Sequence, residues 1–199
     1  MGTEFPASDL TLGQTNALVK KLGGMDVVSK ILTNAVKVTI ETIKEPFLRL
    51  ISGAEQIMLA ATDGTATIAE SKDVFTAGID ADFQSWGTNV AGKATSATAV
   101  AVHDVAKHGN FSQLFGSLGN DLDKLRFEQG QIIQFVKDHK KWLQADGYAT
   151  LFLFKVGTEF FVAIVGVFSG GRLVVLVRRF SDDCVWGAGP RRRIVVPQL

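Results

Sequence analysis

At 199 residues, 46% hydrophobic and 21% charged, the chain has the make-up of a globular protein able to bury a sizeable core in one domain plus a small appendage. A single cysteine, Cys184, excludes an intrachain disulfide and so a secreted disulfide scaffold. The net charge of +1 hides an asymmetry: residues 51–125 hold nine acids against four lysines, a net of −5, while residues 150–199 hold seven Lys/Arg against three acids, a net of +4. Two readings follow: the regions face each other or sit apart on the surface, or the basic end meets an acidic partner or a phosphate backbone. Fourteen Phe against one Tyr favour core packing over wet recognition surfaces.

The first ten residues have neither a basic nor an apolar segment of the kind a signal peptide needs, and the longest apolar run, Phe160–Phe168, is too short to span a bilayer. A cytoplasmic location, with no membrane partner, is expected. Residues 1–34 read as a short helical hairpin: Thr11 caps a helix through Leu18 and Leu22, Gly23-Gly24 stops it, and Asp26 caps a second helix carrying Val27, Val28, Ile31 and Leu32. Lys20, Lys21 and Lys30 are placed to approach phosphates, but the second helix offers few side chains that read bases, so a docking or packing role is preferred.

Residues 35–199 read as one α+β domain. Val36, Val38 and Ile40 alternate with polar residues as in a strand, and Pro46 ends the run. Residues 47–60 are ambiguous between helix and strand, weakened either way by Gly53; a turn at 62–65 and a short helix over 67–75 follow. Residues 76–99 form an irregular Gly/Ala/Ser/Thr-rich loop, with Trp86 as its expected anchor to the body or, alternatively, to a ligand. Val100–Val105 predicts a strand and Phe111–Leu118 a short helix; the clearest helix runs from Gln129 to Leu143 with Ile132, Ile133 and Val136 on its apolar stripe. Tyr148–Val156, Phe160–Phe168 and Arg172–Phe180 are strands joined by tight Gly-containing turns, with a fourth at Arg193–Val196. The expected fold is thus a C-terminal antiparallel β-meander covered by the amphipathic helix, with an N-terminal helical hairpin.

Candidate chemistry is sparse. His103-Asp104 with His108 is the one cluster with a catalytic look, yet neighbours in a strand face opposite ways and cannot form a dyad. Asp121 and Asp123, with Asp80 and Asp82, are paired carboxylates suited to a cation or to acid–base work, and equally to local turn and cap bonding. Cys184 lies beside Asp182 and Asp183, which oppose thiolate formation. No metal set, phosphate loop or cofactor motif is present. The strongest polar feature is Arg191, Arg192 and Arg193 with Arg178, Arg179 and Trp186, read as a sheet edge that is either simply solvated or a contact for a protein, an acidic ligand or nucleic acid.

Leu10–Asp26 (LTLGQTNALVKKLGGMD) resembles the start of short hypothetical proteins of candidate-phyla (Patescibacteria-like) bacteria. Ala61–Thr65, Phe115–Gly119, His139–Leu143, Asp146–Tyr148, Arg179–Asp183 and the terminal Val195–Leu199 (VVPQL) resemble the same group, while residues 33–56 resemble it less. The resemblance implies no activity, cofactor or site residue. The leading expectation is therefore a non-enzymatic binding or interaction protein. The alternatives are a small hydrolase acting on nucleic acid or another substrate through His103, Asp104, Asp121 and Asp123, and a simple nucleic-acid binder that uses the basic C-terminal sheet.

Overall fold

A computed structural model describes residues 10–33, 35–36, 45–53, 55–145, 147–189 and 192–198. The chain divides into two units, Met1–Lys44 and Glu45–Leu199. In the first, Thr11 and Gln14 form a reciprocal capping box that starts α1 (Leu12–Lys21). Gly23 and Gly24, at φ of +99° and +95°, turn the chain into α2 (Met25–Leu32). The cap of α2 is Gly24 rather than Asp26; the positive φ suits glycine, and Asp26 falls in the first turn, where the helix dipole still favours its charge. The strand expected over residues 36–41 lies, from residue 37 onward, outside the described residues.

The second unit is mixed α+β around an eight-stranded sheet. In chain order its elements are β1 (Leu48–Leu50), β2 (Ile57–Leu59), β3 (Gly78–Ile79), α3 (Asp82–Ser85), β4 (Thr98–Val105), α4 (Phe111–Gly116), α5 (Leu122–Leu125) and α6 (Gln129–Asp138). They continue with β5 (Gly147–Val156), β6 (Glu159–Val167), β7 (Leu173–Arg179) and β8 (Arg193–Pro197). The strand order is β1-β4-β8-β5-β6-β7-β3, with β2 also on β4. Residues 47–60, ambiguous in sequence, are two short strands on one edge of β4, interrupted at Ser52. There the Ile51 and Ser52 amides both donate to the Val102 carbonyl, at 2.9 and 3.3 Å, and Ser52 Oγ accepts from the Val102 amide at 3.2 Å.

Strands β5, β6 and β7 form the expected antiparallel meander, its turns made by Gly157 (φ +59°) and by Gly170-Gly171. The fourth strand departs from expectation. β8 does not extend the meander beyond β7; it lies between β4 and β5, antiparallel to the first and parallel to the second. β8 therefore runs in the same direction as β7, and parallel strands need a crossover rather than a tight turn. Residues 180–192 supply it, packing Phe180 and Trp186 against Phe111 of α4 at ring separations of 6.4 and 5.6 Å.

Both sheet faces are buried, which is why β6 reads as a continuous apolar run and not as an alternation. One face joins Val102, Phe152, Phe154, Phe161 and Val195 to Ile132, Phe135 and Val136 of α6 and to Phe75 and Phe83. The other joins Val105, Leu151, Leu153, Ile164 and Ile194 to Phe111, Leu114, Phe115 and Leu125. α6 stops at Asp138, short of the expected Leu143; a 3₁₀ turn, Lys140–Trp142, follows, and Leu143 is still buried. The helix expected over 67–75 is only a 3₁₀ turn at Ile68–Glu70. Among the described residues no helix is long and apolar enough to cross a membrane.

Residues 76–99 are ordered by burial and by one amide. Phe83, fully buried and stacked on Phe154 at 6.2 Å, is the main anchor; Trp86 is only half-buried, lying against Phe161 with the Arg179 guanidinium over its ring. The buried Gln129 side chain accepts from the Ile68 amide at 2.8 Å and donates to the Thr88 and Val90 carbonyls at 2.7 and 3.1 Å, tying three segments together. Gly64 completes the clip, since its φ is +78° and a Cβ there would run into the Lys93 carbonyl. Gln129→Leu strands the Ile68 amide and the Val90 carbonyl, while the Thr88 carbonyl keeps the Val90 amide, and is expected to cost about 2–4 kcal/mol. Urea unfolding measures the loss, and hydrogen exchange should accelerate first at residues 86–95. A change below about 0.5 kcal/mol would show that the clip is dispensable.

Candidate functional site

Strand β4 carries the polar residues picked out from sequence, and its alternation sets their surroundings. Val100 and Val102 face the core beside α6, whereas Ala101, His103 and Val105 face the other side. Asp104 therefore points away from His103, as a strand demands. His103 is buried, 8% exposed, its Nδ1 sealed without a hydrogen-bond partner, and burial holds its pKa below the ordinary 6.5. It lines a cleft of about 220 Å³ together with Ser52, Leu118 and Leu125.

Asp104 is held by two arginines. Arg49 Nη2 lies 3.1 Å from its Oδ2, and Arg193 Nε lies 3.5 Å from its Oδ1, an ion-pair contact without a hydrogen bond. Arg193 Nη1 also donates to the Trp142 and Leu143 carbonyls at 2.9 and 3.2 Å. The remaining carboxylates have local duties. Asp121 caps α5 by accepting from the Asp123 amide; Asp123 accepts from Lys155 and Arg126, both at 2.9 Å, and those bonds hold its carboxyl below the usual range. Asp80 accepts from the Asp82 amide and lies 4.0 Å from Arg178, and Asp82 accepts from Ser85 Oγ. Among the described residues no side chain-to-side chain hydrogen bond or ion pair links His103, Asp104, Asp121 and Asp123 to one another, the Asp123 amide on Asp121 being a helix cap, and no group of three His, Cys, Asp or Glu could hold a metal. His108 is exposed beyond the end of β4, and Cys184 is an exposed free thiol.

The arginines do not share one face. Arg178 and Arg179 belong to β7, and Arg192 and Arg193 belong to or adjoin β8; β5 and β6 lie between, so the adjacency expected of these two strands is corrected. Arg179 pairs with Glu159 at 2.6 Å and stacks over Trp86 at 5.2 Å. Arg191 lies outside the described residues. Arg192 stacks over Trp186 at 5.8 Å and donates to the Gly187 carbonyl.

Two cations not singled out from sequence join Arg192 at the end of β4. Register places Arg49 opposite Asp104; the Lys107 amide donates to the Phe47 carbonyl, and the Val105 amide to that of Arg192. Arg49, Lys107 and Arg192 thus come from three segments to one end of the sheet, beside a cleft of about 340 Å³ lined by Arg49, Asp104, Val105 and Gly189. Asp104 is the one acidic side chain paired with any of these cations among the described residues. Only strand pairing reveals this cluster, because its members lie up to 143 positions apart. No family model matches the chain, and neither does any curated protein or solved structure.

Two outcomes test this geometry. Arg193→Met should destabilise the fold by about 2–3 kcal/mol, because Asp104 and two carbonyls lose a largely buried partner, whereas Arg49→Ala, at an exposed side chain, should cost under about 1 kcal/mol. Equal losses in denaturant titrations would contradict the assignment of Arg193 as the interior clamp. For His103, the unfolded chain binds a proton more readily than the folded one. The native protein should therefore lose stability as pH falls through 6.5 towards the lowered folded value, and lose no more below it. His103→Leu should flatten that slope relative to the parent protein, as read by melting temperature between pH 7.5 and 5; parallel profiles would refute it.

Proposed function

We propose that this protein is a non-enzymatic interaction protein that binds an acidic polypeptide segment at the end of β4. The observation that carries the reading is that the backbone segments bearing Arg49, Lys107 and Arg192 meet at the end of β4, where Arg49 lines an open cleft. Lys107 lies over the Phe47 ring at 4.9 Å and Arg192 over Trp186 at 5.8 Å, so each cation stands on an aromatic surface, and neither has an acidic partner among the described residues. Trp186 is half-buried, packed on Phe111 and overlaid by the Arg192 guanidinium, so it supports that cation at the surface. Arg178 and Arg179, on the far strand, take no part in this surface. The exposed lone Cys184 fits a reducing compartment, and we read the protein as cytoplasmic. The hydrolase alternative has, among the described residues, only the helix-capping bond from the Asp123 amide to Asp121 between its candidate residues, and no side-chain pair to build on.

Fluorescence anisotropy with labelled poly-glutamate tests the surface. Arg49→Glu/Lys107→Glu should weaken binding about tenfold or more, and Arg178→Glu should leave it within about twofold. Affinity should fall as salt rises. Unchanged binding by the double variant would reject the surface, and a preference for an oligonucleotide over poly-glutamate would replace the acidic polypeptide with a nucleic acid.

A further inference from the structure

The cleft that holds His103 is separate from the basic end of β4 and has a different chemistry. It opens where β1 and β2 part company along β4, over the sheet face covered by α4 and α5. Leu118, Leu125 and Val196 make its walls apolar. His103, more than nine-tenths buried, contributes the one imidazole. Its Nδ1 is sealed without a partner, which leaves Nε2 as the atom that the ring can offer to the cleft.

Which nitrogen carries the proton follows from what burial tolerates. An orphaned N–H is a rarer and costlier feature of protein interiors than an under-satisfied acceptor. The neutral ring therefore keeps Nδ1 as a bare lone pair and places its proton on Nε2, facing the cleft. Ser52 adds a second donor: its Oγ accepts from the Val102 amide, and its own proton is committed to no described acceptor. Among the described residues the cleft lining holds no Lys or Arg, and its one carboxylate, Glu55, is already paired with Lys141, so the lining offers no cation to balance an anionic ligand. A space of about 220 Å³ exceeds the roughly 150 Å³ that accommodates a benzene ring, so a ring and a short substituent fit.

We propose that this cleft is a binding site for a small uncharged molecule, an apolar body of about one ring bearing a hydrogen-bond-accepting oxygen that docks against His103 Nε2. The acceptor takes up the proton that Nε2 presents to the cleft, and the apolar walls supply the remaining affinity.

Three probes of one shape separate these contributions: acetophenone, ethylbenzene and benzoate. The readouts are methyl resonances of Leu118, Leu125 and Val196 and the ring nitrogens of His103, followed by NMR on the full chain. Acetophenone should shift all of them saturably and perturb Nε2 more than Nδ1. Ethylbenzene should bind about three- to tenfold more weakly, the worth of one neutral hydrogen bond, and benzoate more weakly still. His103→Phe should erase the preference for acetophenone over ethylbenzene, and Leu118→Trp, which fills the cleft from a partly exposed position, should abolish the shifts while leaving the rest of the spectrum folded. The proposal is overturned if acetophenone gives no saturable shift at these methyls, if it binds no better than ethylbenzene, if benzoate binds best, or if the free ring carries its proton on Nδ1.

Discussion

The sheet of residues 45–199 depends on the five residues of β8, which occupy the slot between β4 and β5. Without them the meander β5–β6–β7 and the group β1–β2–β4 would be separate sheets with open edges, each exposing unpaired backbone groups. β8 satisfies both edges, pairing Val100–Asp104 on one side and Thr150–Phe152 on the other. Its side chains also bridge the two cores: Val195 belongs to the one beside α6 and Ile194 and Val196 to the one beside α4. Burying three such aliphatic groups is worth about 1.5–3 kcal/mol each, comparable in sum with the net stability of many domains.

The same strand decides where charge goes. Arg193, its first residue, faces the α6 side and spends its guanidinium on the Trp142 and Leu143 carbonyls and on Asp104. Arg192, one position earlier, stays with the crossover and turns to Trp186 and Gly187. Two neighbouring arginines thus divide into an interior clamp and a surface group because the chain enters a β-strand between them, and alternation begins there.

The antiparallel meander, the long helix and strand β4 were legible because each has a period or a run of the right length, bounded by Gly or Asp-containing turns. The placement of β8 was not. Nothing in a run of four residues distinguishes a strand that adds to β7 from one that crosses over β6 and β5, and the choice rests on partners more than forty positions away. Residues 47–60 failed for a related reason: a strand interrupted at Ser52 shows no clean alternation, since the break rests on the Val102 backbone groups. The region 76–99 looked irregular because its order comes from Phe83 in a remote core and from the Gln129 amide, neither of which leaves a periodic trace. Of the candidate site, His103, Trp186 and Arg192 stood out in sequence by residue type; Arg49, Lys107 and Ser52 carry no local signal and join the sites only through pairing.

The opposed charges of the two halves resolve in the same way. Asp80, Asp104 and Asp123 of the acidic stretch contact Arg178, Arg193 and Lys155 of the basic one, so part of the asymmetry reflects ion pairs formed across the sheet. Arg179 is met by Glu159 on the neighbouring strand. Once these pairs are set aside, the described basic residues of the C-terminal stretch without an acidic partner reduce to Arg172 and Arg192. The backbone at Arg192 joins β4 at the end that also carries Arg49 and Lys107, and Asp104 there is already shared between Arg49 and Arg193. Among the described residues the rest of the basic C-terminal sequence, Arg172 apart, is thus neutralised by the protein itself, which is the physical ground for proposing the end of β4 as the place where an acidic partner would bind.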